Sequence, residues 1–152
     1  MYKMLKMKID NLDKIDLEEK KKEIIKIYSI LLGYYSASID KNIFNNNDNK
    51  NIIIEIDARI VSLLNLDRSL ISGEGTLKDN IINNINLIVS DRSKIKELSI
   101  VIVAFFNGYD YVKEIKNIRN KSIFDYVFNK EKNKEDKILN LKKKMDEVYF
   151  TE

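Results

Sequence analysis

Histidine, cysteine, proline and tryptophan are all missing from this chain of 152 residues. Each absence excludes something. Without cysteine there is no disulfide framework and no thiolate nucleophile. Without histidine the commonest general base is gone, and with it the Ser-His and Cys-His arrangements and any helical nuclease that needs an arginine beside a histidine. Zinc, copper and iron sites draw on the same two residues, so only all-oxygen sites for magnesium, manganese or calcium stay open. Without proline no ring interrupts a helix from within, and only four glycines offer breaks.

What is there is isoleucine, lysine and asparagine, which together exceed two-fifths of the residues. All three have AT-rich codons, so an AT-rich genome accounts for part of the bias and lowers the weight of any single lysine or asparagine. The hydrophobic share of 44% and charged share of 34% suit a folded domain with a real core. One domain over 1–152 is expected, with 1–14 frayed and 129–152 a charged C-terminal helix. The strongest apolar run, Leu98 to Phe106, spans nine residues with one serine inside it. A membrane span needs roughly 20, so this run is expected to be a buried helix. Met1 to Lys8 leads into no apolar stretch of signal-peptide length, and a cytoplasmic place is expected.

Helical spacing runs through most of the chain. Asp16 and Glu19 stand at the N-cap and N3 places of a capping box. Ile24, Ile27, Tyr28, Leu31, Tyr35 and Ile39 follow in steps of three and four, with Gly33 inside the pattern. The asparagine run from Asn45 to Asn49 is expected to be a loop. Ile53, Ile56, Ile60, Leu63, Leu64 and Leu70 carry a second helix; its β-branched start suits a strand, but no comparable strand is available to pair with it. Gly73 and Gly75 mark a turn before Thr76, a good N-cap for a helix bearing Leu77, Ile81, Ile85 and Ile88.

The next helix carries Ile95, Leu98, Ile102, Phe105, Tyr109 and Val112 on one face. Ile100, Val101, Val103 and Phe106 add apolar side chains around most of its circumference. A helix apolar nearly all round has to be surrounded. Residues 97–107 are therefore expected at the centre, with the end from Tyr109 to Arg119 emerging into solvent and Gly108 permitting a bend or a close neighbour. A last narrow stripe holds Ile138, Leu141, Met145 and Val148. The expected fold class is all-α: a single-domain bundle of five or six helices around the buried 95–112 helix.

No arrangement of these residues stands out as an active site. Glu19 and Glu23 share a face, as do the acids around magnesium in all-helical nucleotide pyrophosphatases, but a second acidic site on a later helix is missing. A magnesium- or manganese-dependent nucleotide hydrolase is thus one alternative. The stretch Gly73-Glu74-Gly75-Thr76-Leu77-Lys78 lacks the spacing of a phosphate loop and holds a carboxylate at its middle. No cofactor, metal or small-molecule substrate is inferred.

Charge is distributed unevenly: residues 1–26 carry +2, 27–112 carry −2 and 113–152 carry +3. Lys113, Lys116, Arg119 and Lys121, with Lys142, Lys143 and Lys144, are the candidates for nucleic-acid contact. Four arginines are few for that task. Excess apolar residues point elsewhere. Tyr109, Tyr111, Ile115 and Ile118, and then Ile123, Phe124, Tyr126 and Phe128, exceed what one core stripe buries and are the candidate protein-contact surface. The plan of a buried helix wrapped by amphipathic ones is similar, as a fold, to that of viral Bcl-2-like proteins, which hold a partner helix in a groove. Their Asn-Trp-Gly-Arg element is absent, and no residue carries over. Small helical subunits of RNA-guided defence complexes are a second likeness of plan. The expected function is a non-catalytic helical protein that binds another protein or a second copy of itself, with a nucleic-acid-binding subunit as an alternative.

Overall fold

A computed structural model describes residues 1–40, 49–64, 92–116 and 136–150. It is all-α, and no strand occurs among the described residues. In chain order the elements are α1 (Tyr2–Asp10), a 3-10 turn (Leu12–Lys14), α2 (Leu17–Asp40), α3 (Asn49–Leu64), α4 (Arg92–Lys116) and α5 (136–149). The β-branched run from Ile52 is helical, because Ile52, Ile56, Ile60 and Leu64 recur every four residues and are buried as one stripe. Asn49, expected in the loop, already belongs to α3. The segment from Gly73 to Val89 lies outside the described residues.

Helix α2 starts where its capping residues place it. The Glu19 amide donates to Asp16 Oδ1 at 2.9 Å, and the Lys20 amide reaches the Asp16 carbonyl at 2.8 Å. This satisfies donors that the first helical turn otherwise leaves unmade. From Ile24 to Ser38 every residue except Lys26 is buried. Two buried hydroxyls on this stretch are satisfied within the helix: Ser29 donates to the Ile25 carbonyl at 2.7 Å and Ser38 to the Tyr34 carbonyl at 2.8 Å.

Among the described residues α2 is the most fully buried helix, and the 95–112 helix is buried along one face. Helix α4 buries Leu98, Val101, Ala104, Phe105, Tyr109 and Val112 against α2 but leaves Val103 63% exposed and Phe106 38% exposed. Apolar composition all round did not require burial all round, since a few exposed apolar side chains cost little in a folded chain. Tyr109 and Val112, on the stretch expected in solvent, are instead buried: Tyr109 is 8% exposed, and its ring stacks on Phe105 at 5.9 Å.

Two glycines set how closely α2 and α4 approach. A Cβ at Gly33 would run into the Phe105 carbonyl, and one at Gly108 into the Ile30 carbonyl. Each glycine thus faces the other helix's backbone, which no other residue type permits here. Gly108 has the close neighbour that its place in the pattern suggested.

The ends of the chain also pack. Leu5, Ile9 and Leu12 join the core from α1 and the 3-10 turn. On α5, Ile138, Leu141 and Met145 are buried, each such side chain contributing about 2 kcal/mol of apolar burial. Val148, expected on that stripe, is exposed; Tyr149 and Phe150 pack against the core in its place.

Candidate functional site

Two places combine polar or exposed side chains from several helices. The first lies where α2, α3 and α5 meet. Glu55 and Arg59 sit four apart on α3, and Lys142 and Asp146 sit four apart on α5. Each spacing puts opposite charges on one helical face. Packing brings the two pairs together. Lys142 Nζ lies 2.8 Å from Asp146 Oδ2 and 3.1 Å from Glu55 Oε1. Arg59 Nε lies 3.6 Å from Asp146 Oδ1, which also accepts the Tyr28 hydroxyl at 2.9 Å. The Arg59 guanidinium lies over the Phe150 ring at 4.7 Å, and that ring meets Tyr28 edge-on at 5.6 Å.

Both Asp146 oxygens are engaged, and two cations balance two carboxylates. Burial raises the Tyr28 hydroxyl far above its ordinary value of 10, and the hydrogen bond to Asp146 and its negative charge add to this. A phenol so held stays protonated at neutral pH. The cluster can pin α5 to α2 and α3.

The second place is an open groove bordered by α1, α2 and α4. It encloses about 590 Å³, with Met4, Ile30, Ile100, Val103 and Ala104 as apolar lining and Lys8 and Lys26 at its edge. A separate hollow of about 380 Å³ between α2 and α4 also touches Ile100 and is lined by Ile25 and Leu17, beside Lys21, Lys22, Glu18 and Glu97. Glu23 stands between two of the edge lysines, 3.4 Å from Lys8 Nζ and 3.1 Å from Lys26 Nζ. Its burial raises the carboxyl pKa, but the Lys26 hydrogen bond and the charges of Lys8 and Lys26 outweigh this and hold it below the ordinary value. An apolar floor with a charged edge is the make-up of a surface that receives an amphipathic segment.

The two acids singled out for a magnesium site are each held by lysines: Glu19 pairs with Lys22, and Glu23 with Lys8 and Lys26. Among the described residues no three acidic side chains form a group that could hold a metal ion.

The expected contact residues divide. Tyr109 is buried, because the face it shares with Phe105 and Val112 is the one α4 turns to α2, and Tyr111 is half-buried and packed against the core. Tyr109 is thereby removed from any surface. Ile115, Lys113 and Lys116 belong to the last turn of α4, past Val112, where the described side chains of that helix end. Ile118, Arg119, Lys121, Ile123, Phe124, Tyr126 and Phe128 lie outside the described residues. Of the three consecutive lysines on α5, Lys143 and Lys144 are exposed, but Lys142 is 3% exposed and ion-paired. It is an internal structural cation and not a nucleic-acid contact.

Sequence reasoning missed both places. The charge cluster had a readable half-signal in the two spacings of four, but nothing in one dimension says that Glu55 reaches Lys142. The groove's signal was the surplus of apolar residues on α4, which was assigned to burial. Compared with known proteins, the chain matches no family model, no curated protein and no solved structure. No described helix is long and apolar enough to cross a membrane.

Proposed function

We propose that this protein is a non-catalytic recognition module that binds another protein through the groove bordered by α1, α2 and α4. The observation that carries the reading is the position of Val103: an aliphatic side chain 63% exposed on a core helix, at the lip of an apolar groove edged by lysines. Protein-binding surfaces are where exposed apolar side chains gather inside a charged border. A cytoplasmic place suits a cysteine-free chain. The burial of Lys142 weakens the rival nucleic-acid reading, since it removes one cation from the densest basic run of α5.

A photo-crosslinking side chain at position 103, introduced in the native host, tests this reading. A discrete protein adduct from position 103, absent when the same group is placed at the exposed Ile54 of α3, is the expected result. Adducts to nucleic acid alone, or equal protein adducts from both positions, would refute it.

A further inference from the structure

We draw no further inference here: the strongest candidate, the apolar hollow between α1, α2 and α4 with Val103 at its lip, belongs to the site already described, and nothing in the structure shows what covers it.

Discussion

Against α4, helix α2 presents Gly33 and receives Gly108, so that backbone meets backbone with no side chain between. Against α3 and α5 it presents Tyr28 to a cluster of two cations and two carboxylates, with Lys142 almost fully buried among them. The first contact works by removing atoms. It depends on shape alone and offers nothing for salt or pH to act on. The second works by pairing charges whose desolvation is recovered only while every partner is in place. One helix thus carries a contact that tolerates no added volume and another that tolerates no lost partner.

The sharpest way to break the comparison is at Asp146. Replacing it with alanine takes an acceptor from Tyr28, Arg59 and Lys142 at once and leaves a buried ammonium with Glu55 alone. A loss of about 3–5 kcal/mol is expected, read from urea denaturation at equilibrium. The double replacement Lys142→Met and Asp146→Leu should cost clearly less than Asp146→Ala, because no buried charge is then left unpaired. If the double variant is the weaker of the two, the cluster is not acting as a unit.

The glycine contact comes next. Alanine at either position gains about 1 kcal/mol of helix propensity elsewhere in proteins. Here the added Cβ would meet a carbonyl of the facing helix, and backbone cannot swing aside as a side chain can. Gly33→Ala and Gly108→Ala should each be net destabilising by about 1–3 kcal/mol. Their combination should fall short of the sum, since helices already pushed apart by one methyl have room for the other. A stabilised Gly33→Ala variant would show that the approach is looser than described.

Which parts of this were readable follows from the physics of each. Cap, periodicity and helix type were legible at Asp16, Glu19 and along Ile52 to Leu64, because they depend on residues three and four apart in the chain. The close approach at Gly108 was legible as one option for a glycine in a helix. How much of each described helix is buried was not. Residues 95–112 and α2 are both rich in apolar side chains, and composition ranks the former as more apolar around its circumference. Which of the two is surrounded depends on where α1, α3 and α5 pack, and that is a sum over contacts distant in sequence. Tyr109 and Lys142 were misassigned for the same reason. An aromatic at the end of an apolar run and a lysine in a run of three look exposed until the partner surfaces, Phe105 with α2 and Glu55 with Asp146, are in place.

Tyr28→Phe sharpens the polar side of the comparison without adding or removing volume. It deletes one hydrogen bond to a carboxylate that keeps its two cations, so a loss of about 1.5 kcal/mol is expected. The folded-state pKa of Tyr28 is raised, so its contribution is present below the unfolded value near 10 and is lost as pH rises beyond it. In the intact protein this phenol should resist ionisation at pH values where exposed tyrosines titrate. The tyrosinate absorbance curve up to about pH 11 should therefore be nearly the same for wild type and Tyr28→Phe. A curve that drops by one tyrosine in the variant would mean that Tyr28 titrates freely and the cluster is open to water.

The smallest effect belongs to Glu23, at the edge of the groove, where the ion pairs are partly solvated and each is worth under about 1 kcal/mol. Its folded-state pKa is lowered from the ordinary 4.5. A lowered acid contributes stability above the unfolded value and loses it as pH falls through the folded one. Glu23→Gln should therefore be slightly less stable than wild type at neutral pH, and the gap should close as pH drops below about 4.5. The glycine variants should keep their full deficit over the same range, because nothing in the contact they disturb takes up a proton. A Glu23 gap that persists unchanged into acid would assign its effect to packing of the side-chain stem, and would leave Lys8 and Lys26 held at the groove edge by something other than charge.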